Sequence, residues 1–317
     1  MTMTHPNGTS IVDRARKYYA EEGLRSVLSL AGFYGPSLIY HRRFGRWSYN
    51  RRGIDIFSAD WDNLILLDAC RSDFFARAAE TRDGSTSSRI SRASSTSEFI
   101  RANFSDRSLH DVVYVSANPW YMKLREKIGA SVFAYYDVHN EPEERLHVDQ
   151  MYATTESAIS AADEYPNKRL LVHYAPPHHP LFGPTAERHL PSIESQLEMG
   201  FYERIRRGAI EVDDDILKQA YAETLDAVLE EVDRLLEVFE GKTVISADHG
   251  EMLGERATPI PVRYYGHIPG LYTDELVTVP WHVCPYSSRR TITAEEPTDT
   301  TPQVDVDQRL RDLGYKV

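Results

Sequence analysis

Six short apolar runs punctuate the chain: Asn63 to Leu67 (NLILL), Val112 to Ser116 (VVYVS), Ser131 to Tyr136 (SVFAYY), Arg169 to Tyr174 (RLLVHY), Thr243 to Ser246 (TVIS) and Val279 to Val283 (VPWHV). Runs this short and this nearly continuous in apolar character read as strands buried on both faces, the mark of a largely parallel sheet. Ile216 to Phe239 follows a different period, with Leu217, Ala220, Tyr221, Leu225, Val228, Val232 and Leu235 at helical spacing. Gly241 stops that helix and a strand follows at once. A helix feeding straight into a strand is a unit of a doubly wound fold, so the pattern predicts an α/β domain with a mostly parallel sheet and helices on both faces. There is no internal repeat and no linker after residue 61, so residues 61–317 are expected to form one domain behind a helical N-terminal extension, 1–60. Thr291 to Thr301 reads as a loop before a short terminal helix.

Composition narrows the classes. The 317 residues are 41% hydrophobic and 26% charged, which excludes disorder and coiled coil and leaves room for a deep core. Cys70 and Cys284 are too few for a disulfide framework or a cysteine zinc cluster. Mean hydropathy is −0.47 and the first residues lack a signal-peptide design, so the expectation is a cytoplasmic protein. The net charge of −12 divides unevenly, +6 over residues 1–53 and −18 over the rest. An acidic body repels nucleic acid. The basic leader carries Ile11, Tyr18, Val27, Leu28 and Phe33 among its charges. It reads either as an ordinary docking helix or as a peripheral contact with anionic lipid at the inner membrane face.

In a doubly wound sheet, ligands bind beyond the carboxyl ends of the strands, and three such places carry chemistry. Asp68 leaves the first apolar run, and Asp248 and His249 follow the Thr243 to Ser246 run with Gly250 behind them. Two acids and an imidazole supply three ligands to a divalent cation, with Zn, Mn and Ca all candidates. The third place is Ser94-Ser95-Thr96-Ser97-Glu98-Phe99. Ser95 and Glu98 match a capping box that would begin a helix and put the Thr96 hydroxyl in its first turn, where an anionic group is favoured. If the same cation touches Thr96, the hydroxyl becomes a usable nucleophile.

The order of these motifs resembles the alkaline phosphatase and sulfatase superfamily. Asn63 to Arg71 (NLILLDACR) is similar to its first metal-ligand strand, Ser94 to Phe99 (SSTSEF) to its nucleophile turn, and Ser246 to Glu255 (SADHGEMLGE) to its late Asp-His metal motif. The Leu276 to Trp281 segment and the closing Leu310 to Tyr315 are also similar to sulfatase-like proteins. The resemblance covers roughly residues 61–317 and implies an alkaline-phosphatase-like fold. It implies Asp68, Asp248 and His249 as metal ligands and Thr96 as nucleophile and fourth ligand, with Ser95 in reserve. His173 to Pro180 (HYAPPHHP) is similar to the family's H-x-P-H-x-P stretch, which implies His179, or its neighbour His178, as a contact to the transferred group. Gly266-His267 is similar to a later site that meets a second metal or a phosphoryl oxygen. Arg71 is a further candidate substrate contact, and with Glu251 and Glu255 it could instead hold ligands in place.

Departures from the family pattern bear on the substrate. A formylglycine sulfatase needs Cys or Ser with Pro or Ala two places on and Arg four places on. Cys70 is followed by Arg-Ser-Asp-Phe and Cys284 by Pro-Tyr-Ser-Ser, so neither fits. A threonine nucleophile looks instead like the phosphodiesterase, phosphoglycerol-transferase and phosphoethanolamine-transferase branches. The expectation is therefore an enzyme that cleaves or transfers a phosphate ester, or a sulfate ester, through a covalent threonine intermediate. The alternatives are a transferase acting on lipid or surface glycan, and an inactive relative that binds a phosphorylated ligand.

Overall fold

The computed structural model describes residues 49–138, 147–197, 200–258 and 261–297. Its strands are β1 (Asn63–Asp68), β2 (Ser85–Ile90), β3 (Ser108–Ser116), β4 (Ser131–Asp137), β5 (Arg169–Pro177), β6 (Thr243–Ser246), β7 (Met252–Arg256), β8 (Arg263–Gly266) and β9 (Thr278–Val283). The helices are α1 (Ser72–Ala78), α2 (Thr96–Phe104), α3 (Trp120–Leu124), α4 (His147–Glu164), α5 (Pro184–His189), α6 (Ile193–Leu197), α7 (Phe201–Arg206), α8 (Asp214–Leu236) and α9 (Asp274–Val277). Seven strands form one sheet in the order β2-β9-β6-β1-β5-β3-β4, and β7 pairs with β8 in a separate ribbon.

Every residue of β1 is buried, because strand residues alternate between faces and both faces of this strand are covered. Ile65 and Leu67 pack in one cluster with Phe75 of α1, Ala158 of α4 and the Leu217, Leu225, Val228 and Val232 stripe of α8. Leu64 and Leu66 pack in the other with Phe99 and Phe104 of α2 and Tyr121 of α3. The predicted architecture, helices on both faces of a mostly parallel sheet, is the one observed. Each large aliphatic side chain so enclosed contributes about 1.5–3 kcal/mol of transfer free energy, which is what fixes the strand ends that carry the polar groups.

Two features of the sheet differ from the sequence reading. The Val279 to Val283 run is antiparallel to β6, pairing Ser246 with Trp281, whereas the apolar run alone suggested another parallel member. The chain comes to β9 directly from the loops at the carboxyl end of the sheet, with no crossover to return it to the amino end, so it can only run back. β2 has the sequence STSSRI and five of its six residues are exposed. It is held as an edge strand by pairing with β9 from Ser85↔Val283 to Ile90↔Thr278. A polar edge protects against further strand addition and leaves no hydrophobic signal to read.

Among the described residues no helix is long and apolar enough to cross a membrane. The expectations for the basic leader over residues 1–48 and for the closing helix lie outside the described residues.

Candidate active site

Neighbouring strands β6, β1 and β5 bring their carboxyl ends together at the middle of the sheet. Asp68, the last residue of β1, falls on the same face as Leu64 and Leu66, the side covered by α2. Ala69 then turns the chain with φ 61°, a left-handed conformation that costs a non-glycine residue about 1–2 kcal/mol. Three hydrogen bonds hold it there. The Ala69 amide donates to Asp248 Oδ1 at 3.1 Å, the Tyr221 hydroxyl of α8 donates to the Ala69 carbonyl at 2.8 Å, and the Arg71 amide donates to the Tyr221 oxygen at 2.9 Å. The long helix therefore secures the turn behind Asp68. After β6, Gly250 lies so close to α9 that a Cβ there would stand 2.0 Å from the Glu275 carbonyl oxygen, and its amide donates to the Leu276 carbonyl at 2.8 Å. Only glycine lets the Asp248-His249 turn approach this closely.

Ser95 caps α2, its side chain accepting the Glu98 amide at 3.4 Å, so the helix starts at Thr96 as predicted. The second half of the expected capping box is different. Glu98 is buried, and its carboxylate takes the Ser94 amide at 2.9 Å, the Gly270 amide at 3.4 Å and the Tyr272 hydroxyl rather than the Ser95 amide. The Ser94 hydroxyl adds a bond to the Ile268 carbonyl at 2.8 Å. A buried carboxylate needs several donors, and here the loop carrying His267 supplies two of them. Glu98 thus joins the Thr96 turn to the His267 loop.

Four residues from three separated segments meet in this frame. Thr96 Oγ1 lies 3.4 Å and 3.3 Å from the two oxygens of Asp68 and 3.3 Å from His249 Nε2. His249 Nε2 lies 3.5 Å from Asp68 Oδ1 and 3.4 Å from Asp248 Oδ2. His249 Nδ1 is 2.8 Å from the Gly250 carbonyl, which can only accept, so the proton sits on Nδ1 and Nε2 presents a lone pair. Two carboxylate oxygens and that lone pair are acceptors converging on one point. Ligand bonds of about 2.1 Å set tetrahedral donors about 3.4 Å apart, which is the spacing observed. Donor types and separations both fit a divalent cation. Asn118, just past β3, donates to Asp68 Oδ2 at 2.8 Å and orients it. Ser95, spent on the cap, is not among these contacts.

Electrostatics agree with the geometry. Burial, reinforced by the charge of Asp248, pushes the Asp68 carboxyl well above the usual range. Burial opposes ionisation of Asp248 too, but His249, His173 and the Ala69 amide outweigh it and hold that carboxyl below the usual range. Burial depresses His249 to about 4 against the partial counterweight of Asp248, so it is neutral near pH 7. Two facing carboxylates with a neutral imidazole form an unbalanced negative pocket, which a divalent cation neutralises.

The histidines form the opposite wall. The His267 ring is 4.3 Å from that of His249, and its Nδ1 donates to Glu251 Oε1 at 3.0 Å. Glu251 outweighs burial and raises His267 above its ordinary value. Between the two adjacent candidates, His178 is buried with its ring 5.2 Å from His267, whereas His179 packs on Phe201 and Tyr202 of α7 at 5.6 and 5.0 Å. Ligand atoms of His178, His179 and Glu251 nonetheless lie within 4.8 Å of one another, a second group of metal-binding types. Arg71 is placed differently from the expectation of a substrate contact. It is bound to Asp73 at 2.8 Å and to Glu255 at 2.6 Å, and its charge is absorbed in holding the β7 segment. Sequence reasoning passed over Asn118 and the place of His173 beneath the site. Asn118 stands just past a strand end, a position that the doubly wound pattern marks for inspection, whereas His173 lies within β5 and reaches the site through its register with Leu66.

No protein-family profile matches the chain, and no curated protein matches it by sequence. Solved structures do resemble it. The C-terminal periplasmic domain of the phosphoethanolamine transferase EptC from Campylobacter jejuni is 16% identical with a TM-score of 0.42, over 70% of this chain and 77% of that one. A 2-O GAG sulfatase is 14% identical with a TM-score of 0.45, over 80% and 70%. A protein of the alkaline phosphatase superfamily from Vibrio parahaemolyticus is 12% identical with a TM-score of 0.40, over 90% and 77%.

Proposed function

We propose that the chain is a metal-dependent enzyme of the alkaline phosphatase and sulfatase superfamily that cleaves or transfers a phosphate ester through a covalent intermediate on Thr96. The observation that carries this reading is the convergence of Asp68, Asp248, His249 and Thr96, with donor separations of 3.3–3.5 Å. These four residues would hold a divalent cation, which when bound would neutralise the two carboxylates, polarise the ester and ease loss of the hydroxyl proton. Thr96 Oγ1 attacks phosphorus as the bond to the leaving oxygen breaks. Its proton is taken at Asp68 Oδ2, 3.3 Å away. Amides at the N-terminus of α2 would face the equatorial oxygens, and His267, whose imidazole Glu251 holds above its ordinary value, would give a proton to the leaving oxygen. Water, or an acceptor alcohol in a transfer reaction, then attacks phosphorus and gives its proton to His267, while the bond from phosphorus to Thr96 Oγ1 breaks and that oxygen takes its proton back from Asp68. Phosphoryl chemistry is preferred to sulfuryl because neither cysteine stands in the formylglycine pattern and both are buried.

The test is a panel of aryl phosphodiester, phosphomonoester and sulfate ester substrates with Zn, Mn or Ca, using the wild-type chain and Thr96→Ala. Loss of the nucleophile is expected to lower turnover at least about 10³-fold. Acid-quenched wild-type reactions are expected to carry the substrate's phosphoryl mass on Thr96 by peptide mass spectrometry. Full activity in Thr96→Ala, or no turnover by the wild type under any of these metals, overturns the proposal.

A further inference from the structure

His173 sits in the middle of β5, in register with Leu66 near the end of β1 and Ser116 at the end of β3, and is fully buried. Its face of the sheet is the one that bears Asp68, and its ring lies between Tyr114 and Phe99, with centroids 6.4 and 6.5 Å away. An imidazole in so apolar a place is costly unless both nitrogens are used. One is: Nδ1 is 2.9 Å from the Tyr114 hydroxyl. The other, Nε2, faces Asp248 Oδ2 at 3.8 Å, beyond hydrogen-bonding distance, and both of these buried atoms lack a hydrogen-bond partner.

Two such orphans pointing at each other are costly if nothing joins them. At 3.8 Å they do not bond each other directly, and a cation that accepts lone pairs from both would satisfy the two together. Ligand atoms of Asp68, His173 and Asp248 lie within 4.8 Å of one another, so a single cation can serve all three. The other oxygen of Asp248 is already committed to the Ala69 and His249 amides, at 3.1 and 2.8 Å, which leaves Oδ2 aimed at the gap.

We propose that His173 Nε2 is a fifth ligand to the cation held by Asp68, Thr96, Asp248 and His249, with Tyr114 accepting the Nδ1 proton and so fixing the tautomer that exposes the Nε2 lone pair. This rests on the metal reading of the site but not on the reaction assigned to it. A fifth donor from β5 would give the cation a higher coordination number than the tetrahedral set alone. It favours ions that accept five ligands.

The test uses the full chain and the metals alone. Dissociation constants for Zn and Co are measured by chelator competition, and the visible absorption of the Co-loaded protein reports coordination number. His173→Gln and His173→Phe, the second filling the apolar space, are compared with the wild type, and melting in EDTA checks that each folds. The expected result is affinity at least about 100-fold weaker, at or beyond the largest effect of a residue that merely supports a ligand. The Co band is expected to strengthen toward the four-coordinate form. Tyr114→Phe is expected to weaken affinity about 10-fold. Affinity within threefold of wild type in both His173 variants, or weaker affinity with an unchanged Co band, overturns the assignment. A wild-type chain that takes up neither metal overturns the metal site itself and this ligand with it, whereas one that binds metal tightly but turns over no ester removes only the catalytic reading.

Discussion

Replacing Asp248 by asparagine separates what the site does for metal from what it costs the fold. The asparagine keeps one oxygen for the Ala69 and His249 amides, at 3.1 and 2.8 Å in the wild type. Its amide nitrogen takes the place of Oδ2, 3.4 Å from the His249 Nε2 lone pair, and so becomes a donor where there had been a second acceptor. Removal of the charge relieves Asp68, whose carboxyl is held high by burial and by Asp248, but forfeits the surroundings that hold Asp248 itself low, so these two effects oppose each other and the new hydrogen bond decides the sign. Satisfying one buried acceptor contributes about 1–3 kcal/mol. For a chain of this size that is a rise of about 2–6 °C in melting temperature when metal is removed with EDTA. With metal at a thousandfold excess over its dissociation constant, the wild type gains about 4 kcal/mol by linkage, while the variant, lacking an anionic ligand, gains almost none. The two curves therefore cross: the variant melts above the wild type in EDTA and below it in saturating Zn or Mn. Differential scanning calorimetry under both conditions reads this directly. A variant that is less stable than wild type in EDTA and is stabilised by metal to the same extent would refute the reasoning.

Other consequences concern the frame. Ala69→Gly relieves the left-handed strain at φ 61° and should leave stability unchanged or raise it by up to about 1 kcal/mol in urea titrations, whereas a bulky β-branched residue there should lower it. Gly250→Ala forces a Cβ to within 2.0 Å of the Glu275 carbonyl, so it should cost more than about 2 kcal/mol and reduce metal affinity, because His249 is the adjacent residue. Asp62→Asn weakens the bonds of a buried carboxylate to Arg289, at 2.7 and 2.9 Å, but because the Arg289 side chain is 42% exposed the loss should be only about 1 kcal/mol. Although burial works against it, the Asp62 carboxyl is held below its ordinary 3.8 by Arg289 and by the Lys242 and Arg290 amides. Its contribution is therefore complete above about pH 4 and is lost as pH falls through the lowered native value. The stability difference between Asp62→Asn and wild type, followed by urea midpoints, should shrink only below that pH; a difference independent of pH down to acid unfolding would contradict the assignment.

What the sequence made legible is what local period and strand-end chemistry can encode. Six apolar runs and one helical stripe carry the sheet centre and α8, because those elements are buried and burial forces a pattern. The acids at the ends of β1 and the loop after β6 were readable because the doubly wound rule assigns ligand positions before any contact is known. β2 was not, since a solvent-facing edge strand stays polar, and the direction of β9 depends on how the chain enters the sheet rather than on its side chains. The same limit applies inside the site. Ser95 and Thr96 are adjacent hydroxyls, and only the cap geometry spends Ser95 on the Glu98 amide while turning Thr96 toward Asp68. Arg71 looked like an anion contact until Asp73 and Glu255 were seen to claim it.

His173 is the sharpest instance of that limit. In the sequence it interrupts an apolar run, which by itself says only that an imidazole is buried in a strand. Its meaning comes from register: pairing with Leu66 puts it one step below Asp68 on the adjoining strand, and the parallel neighbour β6 puts Asp248 across the same floor. Three strands far apart in the chain must align before an unsatisfied nitrogen and an unsatisfied oxygen face each other at 3.8 Å. A sheet that slipped by one residue would send His173 to the opposite face, into the cluster around Leu67 and Val172 and away from Asp248. The assignment of His173 to the metal and the strand register therefore stand or fall together, and a loss of cation affinity in a correctly folded His173 variant would be evidence for both.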